Sequence, residues 1–367
     1  VTIHHFDLPR HLQMIGGWSN RALIIYYRIY ADFAFKTFGD RVKLWTTINE
    51  PTVTTEGYRS LNAAPAFGND MSGVADYLAT HNIIIAHATV YRHYQRNYKD
   101  TQKGKISVNV AGDWYFPLNE TKQEDKNAVA VALAFQVGVI LHPLTYGDYP
   151  EKLKERVHQN SDRLNISNIR LPEFTPEEKQ LITNSYDFIS LNHYMSFEVT
   201  DLPENEREGK SVSDLDANIQ KNIIKSDDEL KNRSWIKSVP EGMSSILKWI
   251  HETYNHPEIM ITENGYPEPG DIDFSLRKLD YHYGHLNHTL IAINQYNVNV
   301  IGYCSWSLMD SLEWLNGYSL RYGIYHVDFN DDNRPRTQKK STLWFREVYT
   351  NRTLVPPFLS NSSGEKC

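Results

Sequence analysis

Two glutamates close short runs of strand-like character. Glu50 ends Leu44-Trp45-Thr46-Thr47-Ile48-Asn49-Glu50-Pro51, and Glu263 lies in Ile259-Met260-Ile261-Thr262-Glu263-Asn264-Gly265. A pair of strand-end carboxylates suits cleavage of a glycosidic bond, in which one group gives a proton to the leaving oxygen and the other attacks the sugar or activates water. A single strand-end acid more often caps the following helix or binds an arginine, so the elements around these two must carry the reading. Six apolar runs read as strands, at 1–6, 42–48, 105–110, 188–192, 259–262 and 300–306, and helical periodicity fills 21–38, 77–98, 128–140, 243–254 and 276–295. Strand and helix in alternation predict an α/β fold with a parallel sheet wrapped by helices. The polar clusters fall on the carboxyl side of their strands, where a TIM (β/α)8 barrel keeps its chemistry.

Composition narrows the function class. The chain has 367 residues, 40% hydrophobic and 12% aromatic, enough to bury a large core. Its formal net charge of -7, with no long Lys/Arg block, excludes nucleic acid as the main partner. The apolar runs are broken by polar residues, and no membrane span is expected. Six Asn-x-Ser/Thr sequons, at Asn119, Asn165, Asn232, Asn287, Asn351 and Asn361, suit a secreted or lumenal protein; the sequence opens on Val1 and itself contains no signal-peptide pattern. Cys304 falls in an apolar run and Cys367 is the last residue, a poor pair for a disulfide. No metal, nucleotide or redox motif is present, so no cofactor is expected; His4 and His5, on opposite faces of a strand, make a poor metal pair.

The two glutamate runs resemble the Thr-x-Asn-Glu-Pro and Ile-Thr-Glu-Asn-Gly signatures of glycoside hydrolase family 1, the β-glucosidase family. The segment Trp306-Ser307-Leu308-Met309-Asp310-Ser311-Leu312-Glu313-Trp314 resembles the family's Trp-Ser-Leu-x-Asp-x-x-Glu-Trp run. Further matches occur at Asp113-Trp114-Tyr115, Gly147-Asp148-Tyr149-Pro150, Asn192-His193-Tyr194, Arg321-Tyr322-Gly323-Ile324 and Arg334-Pro335. The resemblance implies a TIM barrel in one catalytic domain over 1–355, followed by a polar tail at 356–367. By the same match His5-Phe6-Asp7-Leu8-Pro9 ends the third barrel strand, so the first two strand-helix units are expected to be absent from this chain.

The resemblance also implies roles. Glu50 is the acid/base and Glu263 the nucleophile of a retaining exo-β-glycosidase acting on small-molecule β-glucosides, close epimers or thioglucosides. The charge on Glu263 keeps Glu50 protonated until the covalent glycosyl-enzyme forms, after which Glu50 acts as base toward water. Retention requires the two carboxyls about 5 to 5.5 Å apart. Asn49 bonds the sugar 2-hydroxyl, Asn192 and Tyr194 flank the nucleophile, and His5 contacts the 3-hydroxyl. Trp306 lies under the sugar ring, Glu313 accepts from the 4- and 6-hydroxyls, Trp314 reaches the 3-hydroxyl, and Tyr322 completes the binding set.

Departures from the family pattern leave other readings open. Phe6 stands where the family usually has Trp, which keeps a ring and loses an N–H donor. The family's sugar-binding Gln and the Arg beside the nucleophile come from the first two strands, so an inactive truncated product is one alternative. A glycan-binding pseudoenzyme on the same fold is another; such relatives usually lose one glutamate, and both are intact here.

Overall fold

The computed structural model describes residues 1–60, 63–67, 71–166, 170–208, 210, 212–224, 236–269 and 275–357. Asn232, Asn361, Cys367 and most of the expected polar tail lie outside the described residues. The chain forms two compact units, one of residues 1–191 and 197–222 and the other of 192–196 and 223–367.

The first unit is built on parallel strands. β1 (Thr2–His4), β2 (Leu44–Ile48) and β3 (Lys105–Ser107) pair side by side, with Thr2 opposite Thr46 and Trp45 opposite Ile106. The crossovers between them are helices, α1 (Leu23–Phe38) after β1, and α2 (Pro51–Glu56) and α3 (Ala75–Asn97) after β2. This is the connection parallel strands require, since a tight hairpin cannot return the chain in the same direction. Parallel strands covered by helices bury both faces, and Trp45, Thr47, Ile48 and Ile106 are accordingly buried. The Phe35 ring of α1 meets Trp45 edge-on at 5.1 Å and Tyr94 of α3 at 4.8 Å, which locks the two helices against β2.

β3 continues after one residue into β4 (Asn109–Ala111), which neighbours a later strand of the same sheet layer. Beyond β5 (Trp114–Pro117) comes a long helical rod: α4 (Gln123–Leu133), a π-helical segment at Ala134–Gly138 and α5 (Val139–Tyr146). Among the described residues, this rod is long and apolar enough by length and composition alone to cross a membrane. Its apolar window is 72% buried inside the protein, which marks a core helix. The π segment turns Gln136 onto the β4–β5 corner, where its side-chain oxygen accepts from the Asp113 amide and the Tyr115 hydroxyl.

The excursion expected over 202–237 is more structured than a surface loop. After α6 (Glu151–Arg163), α7 (Pro176–Ile182), β6 (Ile189–Asn192) and β7 (Ser196–Asp201), it contains α8 (Val212–Ala217) and β8 (Ile219–Ile223), and β8 joins β5 and β7 in a small separate sheet. Asp216 of α8 is buried and takes a two-pronged ion pair from Arg170, both contacts at 2.7 Å. Tyr77 and Asn160 donate to the same carboxylate at 2.6 Å each. A buried ion pair survives only when its remaining hydrogen-bonding capacity is filled, and removing one partner of such a pair costs about 3 to 5 kcal/mol.

The second unit contains α9 (Glu241–Thr253), β9 (Ile259–Glu263), β10 (Glu268–Pro269), α10 (Ser275–Tyr296) and β11 (Val300–Tyr303). β9 and β11 are parallel, with Val300 opposite Ile259, and α10 is the crossover between them. β12 (Leu320–Arg321) pairs with β10, β13 (Tyr325–Val327) forms a hairpin with β14 (Arg336–Gln338), and α11 (Lys340–Asn351) follows. The last expected strand is shorter than 300–306: β11 stops at Tyr303, and Cys304 is exposed rather than part of an apolar strand. At the end of β11 the Cys304 amide donates to the Ile261 carbonyl, and the chain leaves the sheet toward the Trp306 segment.

Candidate active site

Three predicted residues lie at strand ends of the first unit. His5 follows β1, and Asn49 and Glu50 follow β2. The Asn49 amide donates to the His4 carbonyl and the Glu50 amide to that of Asn109, so the two β2 residues are fixed by the strands on either side. Asn49 is buried, and its side-chain nitrogen reaches His5 Nε2 at 3.5 Å, a long contact. Burial lowers the His5 pKa, partly opposed by the nearby Asp7 carboxylate. Glu50 is the residue before the first turn of α2, with Pro51 at the first helical position and a φ of 41°. Phe6 also has positive φ, 68°, and its ring lies 4.9 Å from His5. A non-glycine residue pays conformational energy in that region, and such strain gathers where a side chain must be aimed.

The other seven gather in the second unit. Glu263 ends β9 and is largely buried, with its Oε2 accepting from the Tyr194 hydroxyl at 2.8 Å. The Glu263 carbonyl accepts from the His193 amide at 3.0 Å, which fixes the backbone on the same side. Asn192 is buried and its side-chain oxygen accepts from the Thr262 hydroxyl at 2.8 Å. The next residues explain the Glu-Asn-Gly motif. Asn264 donates to the His193 carbonyl at 2.7 Å and accepts from the Tyr303 hydroxyl at 2.6 Å. At Gly265 a Cβ would lie 2.0 Å from the Trp306 carbonyl oxygen, so any larger residue would push the two segments apart.

Trp306, Glu313, Trp314 and Tyr322 come from one doubled-back segment. Ser307 donates its amide to the Tyr322 carbonyl and accepts at its own carbonyl from the Ile324 amide, while the Asp310 amide bonds the Tyr325 carbonyl. Asp310 ties the turn together: its carboxylate accepts from the amides of Gly323 and Val327 and from Lys339. Tyr322 is buried and its ring stands nearly perpendicular to that of Tyr194, with centroids 6.3 Å apart. Glu313 is buried, whereas Trp314 beside it is 53% exposed at a φ of 47°. A tryptophan so exposed is not a core residue.

Burial pushes the Glu313 carboxyl up to about 7, a shift opposed by a hydrogen bond from the Trp306 side chain. Its unfolded value is near 4.5, so the stability it contributes is present in full below that pH and is lost as pH rises through about 7. Glu313→Gln keeps the shape and removes the charge. It is expected to raise the melting temperature at pH 8 relative to wild type and to do so by less at pH 5. An equal change at both pH values would show that burial does not disfavour the carboxylate.

Sequence reading missed the residues behind this set. Lys278 and Tyr281 of α10 touch the backbone of site residues, and both are buried. Their spacing is a helix-face signal, but polar residues on a helix face read as solvated. Among the described residues no group of three or more His, Cys, Asp or Glu side chains could hold a metal ion.

Comparison with known proteins places the chain in a family. The model of glycosyl hydrolase family 1 matches residues 1–354. Myrosinase 1 of Brevicoryne brassicae is 38% identical over 356 residues, covering 95% of this chain and 74% of that protein. Human lactase/phlorizin hydrolase is 39% identical over 357 residues, 96% of this chain but 18% of that longer protein. The solved aphid myrosinase superposes with a TM-score of 0.89 at 38% identity, covering 95% of this chain and 74% of the other. A rice β-glucosidase mutant solved in a covalent complex with Glc gives 0.82 at 31% identity, covering 94% and 74%. With strand-end glutamates, a tyrosine-held carboxylate and a family match over nearly its whole described length, the chain belongs to glycosyl hydrolase family 1.

Proposed function

We propose that this chain is a retaining exo-β-glycosidase, with Glu263 as nucleophile and Glu50 as acid/base, acting on terminal β-glucosides or close epimers. The observation that carries the reading is the buried Glu263 carboxylate held by Tyr194 at 2.8 Å, in the same unit as Trp306, Glu313, Trp314 and Tyr322. A nucleophilic carboxylate has to be ionised and aimed, and a phenol donating to one of its oxygens supplies the aim. The rice relative in covalent complex with Glc supports the covalent route. The test is the anomer released first from an aryl β-glucoside, read by proton NMR before mutarotation: β-glucose is expected, and α-glucose first would overturn the assignment.

A thioglucoside substrate is a second reading, favoured by the 38% identity to an aphid myrosinase. A thiolate leaves without prior protonation, so parallel assays on aryl O- and S-glucosides, each with Glu50→Gln, separate the two. Residues 1–355 act as one catalytic domain in this proposal, and β1, β2, β3 with β4, β6, β9 and β11 serve as the third to eighth barrel strands. The exposed apolar stripe Ile25, Tyr26, Ile29, Tyr30 and Phe33 on α1 supports that placement, since the barrel packs each helix against the one before it.

Passage through a secretory compartment is also proposed. Asn119 is exposed, and its side-chain oxygen accepts from the Thr121 amide at 2.9 Å and hydroxyl at 2.7 Å, a surface turn open to glycan attachment. Expression in a secreting eukaryotic host should give a glycosidase-sensitive mass that Asn119→Gln lowers.

A further inference from the structure

Both walls of the second unit's site rest on one helix. In α10, Lys278, Tyr281, His282 and His285 form a buried polar stripe at helical spacing. The Tyr281 hydroxyl accepts from the Asn264 side-chain nitrogen at 3.0 Å and donates to the Tyr194 carbonyl at 2.9 Å. Asn264 directly follows Glu263, and Tyr194 is the residue that holds the Glu263 carboxylate. One hydroxyl thus bridges the two chain segments that aim the nucleophile. The ring that carries it is stacked on His285 at 3.9 Å and packed against Tyr266 at 5.5 Å, so its position does not depend on the hydroxyl.

One turn earlier, the Lys278 ammonium donates to the carbonyls of Arg321, Tyr322 and Gly323, at 3.3, 3.1 and 3.0 Å, and pairs with Glu268 at 2.9 Å. Those carbonyls belong to the segment that carries Tyr322 and pairs with Ser307 beside Trp306. The two contacts go to different segments: Tyr281 touches the nucleophile's supports and Lys278 touches the sugar-facing segment, and the segments meet where the Trp306 amide donates to the Asn264 carbonyl and the Tyr322 ring packs on Tyr194.

We propose that Tyr281 is a positioning residue for the Glu263 nucleophile and that Lys278 positions the sugar-facing segment, so that one helix acts mainly on attack through one side chain and mainly on sugar affinity through another. The proposal rests on Glu263 being the nucleophile, and it deepens that reading by naming what aims it. A preorganised site needs its first contacts held by a second layer of bonds, and loss of that layer relaxes geometry without removing a reacting group.

The test uses the full chain and two variants, Tyr281→Phe and Lys278→Met, with Lys278→Arg as the conservative control. Covalent labelling by a 2-deoxy-2-fluoro-β-glucosyl reagent with a good leaving group is followed by intact mass, and binding of deoxynojirimycin is followed by calorimetry. Tyr281→Phe is expected to slow labelling at saturating reagent by about 10- to 100-fold, the scale of a small misplacement of a reacting group, with inhibitor Kd within about 2-fold. Lys278→Met is expected to weaken Kd by about 10-fold or more, roughly one lost charge-assisted hydrogen bond, while saturated labelling changes little. Lys278→Arg should recover most of that affinity. Wild-type labelling by Tyr281→Phe, or parallel loss of both readouts in both variants, would overturn the proposal.

A wild-type chain labelled elsewhere than Glu263 would instead defeat the functional reading. The positioning claim is then decided by crystal structures of the two variants. Tyr194 should shift from its 2.8 Å contact with Glu263 in Tyr281→Phe and stay in Lys278→Met, and an unmoved Tyr194 in Tyr281→Phe overturns the claim.

Discussion

Glu263→Ala is expected to lower kcat on aryl β-glucosides by roughly 10⁴-fold or more, the scale on which removing one member of a catalytic unit acts. KM should change by no more than a few-fold, because Tyr322 is held by Lys278, Trp306 by its amide bond to the Asn264 carbonyl and Glu313 by its amide bond to the Gly317 carbonyl, none of which needs the lost carboxylate. The substitution leaves a carboxylate-sized space at the end of β9 beside the Tyr194 hydroxyl. Azide fits that space and can attack the anomeric carbon from the face Glu263 used. A carbon–nitrogen bond forms as the carbon–oxygen bond to the leaving group breaks, and the leaving oxygen departs with the electron pair. Partial recovery of turnover with an α-glycosyl azide product is therefore the expected signature. A variant retaining more than about one hundredth of wild-type kcat would remove Glu263 from the nucleophile's role, since general effects of binding and orientation alone do not sustain that rate.

The features legible in the sequence were those written in local pattern. All six expected strands exist, with ends displaced by no more than three residues and the third split into β3 and β4, because each combines an apolar run with a polar strand-end signal. The helix expected at 128–140 is the middle of a longer rod, and the polar start Gln123-Glu124-Asp125 concealed its first turn. The small sheet of β5, β7 and β8 was not legible: β5 is only four residues long, β7 and β8 mix polar and apolar residues, and the three gain their meaning only from partners distant in sequence. Asp216 failed in the same way. Nothing in Val212–Ala217 says that its acid is buried, because the partner that makes burial possible is Arg170.

At the site, the side chains proposed to meet substrate were readable through motifs, and the residues that hold their backbone were not. Asn264 and Asp310 were inside quoted motifs without an assigned task, and the structure gives each a task in holding backbone. Lys278 and Tyr281 had no motif. Their contribution is a hydrogen bond to main-chain carbonyls, and a carbonyl is identical at every residue, so no side-chain pattern marks the recipient.

The second large effect is expected at Glu50, and its size depends on the leaving group. Glu50→Gln preserves shape at a position whose φ of 41° already strains the backbone, and it leaves the Thr54 amide bond to the residue 50 carbonyl intact. What it removes is a transferable proton. For an alkyl or unactivated aryl glucoside, departure of the oxygen needs that proton, and kcat/KM should fall by about 10²- to 10⁴-fold, the usual worth of general acid catalysis. For a dinitrophenyl glucoside the leaving oxygen is stable as an anion, so formation of the glycosyl-enzyme should proceed near the wild-type rate. Water then attacks that intermediate slowly, because the base that would take its proton is missing, and a burst of phenolate precedes a slow steady state. Azide needs no base and should relieve the block, giving a β-glycosyl azide in contrast to the α product from Glu263→Ala. The alkaline limb of the wild-type kcat/KM profile should also vanish, since the acid whose ionisation causes it is gone. Equal losses on activated and unactivated glucosides, with no burst, would show that Glu50 supports structure rather than proton transfer.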